Sequence, residues 1–216
     1  MRFADRADAG RRLALALRSY RDRDPVVLAL PRGGLPVAAE IASALAAPFD
    51  VVLVRKIGAP WQPELAMGAL VEGDPPTITR NEAILSAAGI DERAFAAATQ
   101  RARAELEDAR RRLLGDRPRA TIAGRDAVLV DDGVATGATA RAALQAIRRR
   151  GAKTVTLAVP VASHEALAAL RGEADDVVCL AAPTCFGSVS QFYANFRQVE
   201  DEEAVAILAR FSPTLP

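Results

Sequence analysis

Residues 127–140, Ala-Val-Leu-Val-Asp-Asp-Gly-Val-Ala-Thr-Gly-Ala-Thr-Ala, constrain the fold of this chain more than any other stretch. Ala127–Val130 is a short apolar run of the kind that fills a strand buried on both faces. Asp131 and Asp132 end it abruptly, because two adjacent carboxylates do not stay inside a dry sheet. Gly133–Thr139 supplies small, turn-forming residues, and Ala140–Arg150 favours helix. Together these pieces suit a sugar phosphate. Free backbone N–H groups and a helix dipole attract the phosphate. The Thr136 and Thr139 hydroxyls can bond its oxygens, and the carboxylates can accept from vicinal hydroxyls.

The acidic pair alone also fits a plain turn or a bare Mg²⁺ site. Nucleotide loops that compete for the stretch fail on residue type. A Walker loop needs a Lys after its second glycine, and Ala138 follows Gly137. A dinucleotide fingerprint needs G-x-G-x-x-G, which the spacing from Gly133 to Gly137 does not supply. What Val128–Thr139 does resemble is the 5-phosphoribosyl-1-pyrophosphate (PRPP) signature of the type I phosphoribosyltransferases: apolar strand, two acids, two spacers, a small residue, then Thr-Gly-small-Thr.

At 216 residues the chain suits one moderately large domain over residues 1–216, and it reads as such. Half the residues are apolar and a quarter charged, ordinary for a soluble globular protein. A net charge of +1 gives no global attraction to nucleic acid or membrane. Two cysteines, Cys179 and Cys185, cannot staple a chain this long, so a reduced, cytoplasmic setting is expected. No apolar run approaches the roughly 20 residues of a membrane span. Met1–Tyr20 is not expected to be a signal peptide, because Leu13–Leu17 is short and Arg18 and Arg21 close it.

Taken in order, residues 5–19 read as an amphipathic helix with Ala9, Leu13, Ala16 and Leu17 on one face. Val26–Leu30 is the first strand, Pro31-Arg32-Gly33-Gly34 a loop opening a helix over Pro36–Ala46, and Phe49–Val54 a second buried strand. Arg55-Lys56 then leads into a segment too rich in Pro and Gly for a helix, and the resemblance makes residues 57–68 the candidate for the mobile loop that closes over the site in phosphoribosyltransferases. Met67–Val71 and Thr77–Thr79 read as strands about a turn at Gly73-Asp74-Pro75. Residues 81–118 are helical, with Asn81 capping a short helix and Asp91 a long one. The long helix carries Phe95, Thr99, Ala102, Leu106, Ala109 and Leu113 on one stripe. Glu107–Arg111 and Asp108–Arg112 should pair at i,i+4 on the other. Lys153–Pro160 is a strand, Ser163–Arg171 a helix capped by Ser163, and Asp176–Leu180 a last buried strand. The order predicts an α/β fold: a parallel sheet covered by helices, with ligands outside the carboxyl ends of the strands. Residues 81–118 exceed the minimal phosphoribosyltransferase core and read as an insertion. Residues 183–216 read as a small C-terminal hood.

The resemblance implies roles for single residues. Arg32, Gly33 and Gly34 would cradle the pyrophosphate of PRPP, with a cis Arg32–Gly33 peptide; two glycines also let backbone N–H groups approach an anion closely. Asp131 and Asp132 would meet the ribose hydroxyls, one of them through a Mg²⁺-bound water, the Mg²⁺ being held mainly by PRPP. Ala135, Thr136, Gly137, Ala138 and Thr139 would bind the 5-phosphate. Arg55 and Lys56, with Asp132, would act in the chemistry, the cations beside departing pyrophosphate. The small-molecule acceptor would lie against the segment 183–197, near Phe186 and Val189. That segment holds four of the ten aromatics, which equally suit a hydrophobic cluster over the sheet edge. Trp61 is either part of a closing loop or a plug against the insertion, and Glu64 is a weaker polar candidate. In 6-oxopurine enzymes of this kind an Asp usually stands where this chain has Ala135, so hypoxanthine and guanine are expected to be poor acceptors. His164, the only histidine, is expected to face solvent and offers no acid–base mechanism.

The wider pattern of Phe3–Gly10, Leu30–Gly34, Arg55–Pro60 and Phe186…Phe192-Tyr193 is similar to bacterial phosphoribosyltransferase-domain proteins whose acceptor is not established. The expected function is transfer of phosphoribosyl from PRPP, with Mg²⁺, to a nitrogen acceptor of nucleobase type. A homodimer is left open. The alternatives are a PRPP- or nucleotide-sensing regulator on the same fold, or cleavage of a ribose phosphate. A regulator would be favoured by a basic face, and residues 91–125 hold nine Arg against six acids, with Arg148–Arg150 beyond. Aromatic interleaving for base stacking is missing, so no nucleic-acid partner is expected.

Overall fold

The computed structural model describes residues 2–211, leaving out the side chain of Glu64. Five residues of the expected C-terminal hood, 212–216, therefore lie outside the described residues. Helix α1 (Arg6–Ala16) starts at Asp5, whose carboxylate accepts the Asp8 amide. Strand β1 (Pro25–Ala29) is buried throughout and leads through a tight turn into α2 (Gly34–Leu45). Strand β2 (Phe49–Val51) is shorter than the expected Phe49–Val54. Val52 makes the last bond to Ala29 O, and the Leu53 amide is taken instead by the buried carboxylate of Glu72 at 3.2 Å. The chain then leaves the sheet.

A second sheet follows: β3 (Val54–Ala59), β4 (Gln62–Val71) and β5 (Thr77–Arg80), all antiparallel, with β4 in the middle. This corrects the expected irregular loop at 57–68, which is a β-hairpin turning at Pro60-Trp61. Proline is tolerated there because β5 pairs only with residues 68–71 of β4, so Pro63 lies where β4 has a partner on one side alone. The two strands shift register around Gly58, where a Cβ would stand 2.3 Å from Pro63 O. Trp61 at the tip is 63% exposed, so it does not plug the helical segment.

Asn81 and Asp91 cap α3 (Glu82–Ala87) and α4 (Glu92–Leu114) as expected. All six residues of the α4 stripe are buried. The expected i,i+4 pairs are replaced: Arg111 meets Asp108 one turn back, and Arg112 donates to Asp201 at 3.1 Å. The reason is tertiary, since the C-terminal helix packs against α4 and offers Arg112 a carboxylate. The remaining strands and α-helices are β6 (Asp126–Val130), α5 (Ala138–Arg149), β7 (Thr154–Val161), α6 (His164–Leu170), β8 (Asp176–Ala181) and α7 (Asp201–Ala209), with short 3-10 helices at Arg18–Arg23 and Val189–Phe192. Ser163 caps α6, its hydroxyl accepting the Ala166 amide at 3.0 Å.

The main sheet runs β2-β1-β6-β7-β8, parallel at every junction. Side chains alternate between its faces. Val27, Ala29, Val128 and Val130 join the core under α1 and α2, whereas Val26, Leu28, Ala127 and Leu129 join the core under α5 and α6. Strand β8, expected to be buried, is partly exposed at one edge of the sheet, whereas the opposite edge strand, β2, is covered by Arg117, Arg119 and Phe211. Among the described residues no helix is long and apolar enough to cross a membrane.

Leu129 sits fully buried in the central strand, beside Val155 and Leu157 in the same core. Leu129→Ala is expected to lower the unfolding free energy by about 2–5 kcal/mol through lost burial and an unfilled cavity. Urea denaturation followed by circular dichroism measures this.

Candidate functional site

Parallel pairing of β1 with β6, in the register Ala29 to Val130, delivers the loops after both strands to one edge. The pairing runs one step further, with the Leu30 amide on Val130 O at 2.9 Å. There the two loops interlock. A Cβ on Gly33 would lie 2.2 Å from Asp132 Oδ2, and one on Gly34 would lie 2.7 Å from Val130 O. Both positions therefore need glycine for close approach, and Gly33 has ordinary helical dihedrals leading into α2. The cis peptide in this loop is Pro31–Arg32, one bond earlier than the resemblance implied. Arg32 turns its guanidinium to Asp201 at 3.1 Å and Glu200 at 3.8 Å, so the loop faces Asp132 with backbone.

The acidic pair lies half-buried between these loops. The Asp132 amide donates to Asp131 Oδ1 at 2.9 Å. Arg6 Nε donates to Asp132 Oδ2 at 2.7 Å, and the Tyr193 hydroxyl donates to Asp132 O at 2.6 Å. Arg6 is itself anchored by Arg197 O at 2.7 Å and lies 3.8 Å over the Phe196 ring. Withdrawal from water pushes the Asp131 carboxyl well above its usual range, and the Asp132 charge adds to it. Burial raises Asp132 too, opposed by Arg6.

After the pair, Val134 joins Ala162 and Val161 of the β7 end, and the Ser163 hydroxyl donates to Ala135 O at 2.7 Å. Gly137 adopts a left-handed conformation at φ 80° and starts α5 with no side-chain cap. Among the described residues, the amides of Ala135, Thr136, Gly137, Ala138 and Thr139 have no protein acceptor. A run of N–H groups without a protein acceptor at a helix start has the geometry and dipole that attract anions. Val189 covers Gly133, whose Cβ would stand 2.5 Å from Val189 Cγ1, while Phe186 stacks on Phe192 at 5.5 Å.

The fold thus gathers Gly33, Gly34, Asp131, Asp132, the 135–139 loop and Val189. Arg55 and Lys56 lie on β3 instead and line a cleft of about 500 Å³ between the hairpin and α4, together with Arg101 and Glu105. Arg6 and Tyr193 reach the acidic pair from both ends of the chain, and sequence reasoning assigned neither a role there. Each contact spans 126 or 61 positions, so no local pattern announces it. Among the described residues no cluster of three or more His, Cys, Asp or Glu could hold a metal. Two hard carboxylates fit a cation that arrives with a phosphorylated substrate.

The acidic pair has a cost that can be measured. A carboxyl with a higher pKa in the folded chain than in the unfolded one loses stability for the fold as it ionises above about pH 4. Asp131→Asn removes that charge. The variant is expected to melt at a higher temperature than the parent at about pH 8, with the gain shrinking towards about pH 4. Thermal denaturation at the two pH values reads this out.

Residues 4–197 match the family model of the phosphoribosyl transferase domain. Two Mycobacterium tuberculosis proteins that carry provisional phosphoribosyl transferase names are each 47% identical over 208 residues, covering 96% of this chain. The chain spans 46% of the length of those relatives. The crystal structure of TT1426 from Thermus thermophilus is 44% identical, with a TM-score of 0.86 over 98% of this chain and 100% of that one. With its five-stranded parallel sheet and the two interlocked loops, this chain belongs to the phosphoribosyl transferase domain family.

Proposed function

We propose that the chain binds PRPP across the two interlocked loops and transfers its phosphoribosyl group to a nitrogen acceptor of nucleobase type, releasing pyrophosphate. One observation carries this reading: unpartnered amides at residues 135–139 stand directly after two carboxylates packed against a glycine loop. The 5-phosphate takes the amides of Ala135–Thr139 and the Thr136 and Thr139 hydroxyls. The ribose hydroxyls donate to Asp131 and Asp132. The backbone of Arg32–Gly34 faces the pyrophosphate. Mg²⁺ bound to PRPP would meet Asp131 and Asp132 directly or through water, and it supplies charge neutralisation on the leaving group.

Displacement at the anomeric carbon passes through an oxocarbenium-like state, which water would capture unless excluded. Val189 and Phe186, from the segment that covers Gly133, are suited to hold the acceptor over that face. The hairpin carrying Arg55 and Lys56 would bring positive charge to the pyrophosphate only by moving against α4, whose cleft they line in this conformation. In this reading 1–216 is one phosphoribosyltransferase-like unit, with 81–118 an insertion supporting the hairpin and 183–216 a hood. A regulator working through a basic nucleic-acid face is less well supported, because Arg111, Arg112, Arg117, Arg119, Arg125 and Arg148 are each paired with a carboxylate.

Calorimetric titration with PRPP and Mg²⁺ tests the site. The parent chain is expected to bind, and Asp131→Asn and Asp132→Asn to weaken binding roughly tenfold or more, since hydrogen bonds to a charged group are the stronger kind. Unchanged affinity in both variants would remove the ribose assignment.

A further inference from the structure

At the far end of α5 from the phosphate loop the fold builds a second cleft, of about 400 Å³. Its walls are α4, the β4–β5 turn, the segment entering β6 and the C-terminal end of α5. Four arginines converge on it: Arg103, Arg110, Arg119 and Arg150. Arg119 is a fixed post. Its Nε donates to Asp50 at 2.8 Å, and its other two nitrogens clasp Glu72 at 2.8 and 2.6 Å. Burial works against the Arg119 charge, but Glu72 and Asp50 outweigh it and hold its pKa above the ordinary value.

The other three guanidinium groups differ. Among the described residues, none of Arg103, Arg110 and Arg150 makes a side-chain hydrogen bond or ion pair. Arg150 is half-buried; withdrawal from water pushes its pKa down, the neighbouring Arg119 charge adds to this, and the Glu72 and Asp50 charges oppose it only in part. A partly desolvated cation without a carboxylate partner is unfavourable, and gathering further cations beside it adds repulsion. Of the carboxylates on the cleft, Glu72 is taken up by Arg119. Asp74 and Glu107 are exposed and make no ion pair among the described residues.

We propose that this cleft is a second anion site that takes a polyphosphate group, as borne by a nucleoside diphosphate or triphosphate. Guanidinium forks match phosphate oxygens in shape and charge, and three of them stand unused here. Asp74 and Glu107 suit the hydroxyl and amine donors of a nucleoside. The volume is that of a small-molecule site. The 12-residue α5 sets the cleft roughly 18 Å from the phosphate loop, so an occupant would not compete for the loops at the sheet edge. The assignment does not depend on the PRPP reading.

Calorimetry with inorganic tripolyphosphate and with guanosine triphosphate, on the parent chain and on the R103A/R110A double variant, tests it. Both positions are exposed on α4, so truncation leaves the packing in place. Any binding at residues 135–139 is common to the two proteins. The variant is expected to lose one class of site, or to bind there roughly tenfold or more weakly, and added salt should erode that class in the parent. Tighter binding of the nucleotide identifies a nucleotide as the source of the phosphates; equal binding of the two probes identifies free polyphosphate. Absence of binding by the parent, or equal binding by parent and variant, overturns the site.

Discussion

Two neighbouring carboxylates at the end of a buried strand are the feature on which the rest of this structure depends. Each loses water, and each repels the other. The fold answers with Arg6 from the first helix, which meets the Asp132 carboxylate directly, while Tyr193 from the C-terminal segment holds the Asp132 carbonyl and Gly33 in the loop after β1 leaves the carboxylate room. Parallel pairing of β1 and β6 makes the last of these unavoidable, because it forces both loops to the same edge. A carboxylate held by one arginine is positioned, but it is also engaged. A sugar hydroxyl that used Asp132 Oδ2 would share it with Arg6 or displace it.

A second charged cluster decides the shape of the other side. Asp50 and Glu72 are buried and joined through Arg119, with Arg117 on Asp50 at 3.2 Å. Buried ion pairs contribute little net stability on their own, but losing one partner leaves a charge stranded. Here the cluster sets a boundary. Glu72 takes the Leu53 amide, β2 stops, and the chain turns out into the three-stranded sheet that holds Arg55 and Lys56. The same cluster fixes one wall of the arginine-lined cleft, so the position of the hairpin and the character of that cleft share a cause.

What the sequence announced was whatever local periodicity and capping chemistry control. The strands around Val27, Val128 and Leu157, the caps at Asn81, Asp91 and Ser163, and the buried stripe of α4 all follow from residues within a few positions of one another. The 135–139 loop was legible for the same reason, because strand, acids, small residues and helix are contiguous. Misreadings came where distant groups intervene. The end of β2 depends on a carboxylate 19 positions away, and Arg112 found Asp201 in place of Asp108. The hairpin hid behind prolines that are harmful only in a strand paired on both sides. Arg6 and Tyr193 gave no signal beyond a helical first turn and an aromatic cluster, since what makes them part of the site is tertiary contact.

The most direct measurement of the central claim is a crystal structure of the chain with PRPP and Mg²⁺. The expected result is the 5-phosphate on the amides of residues 135–139, ribose hydroxyls within hydrogen-bond distance of Asp131 and Asp132, and pyrophosphate against the backbone of residues 32–34. PRPP bound elsewhere, or a ribose that avoids both carboxylates, would contradict it.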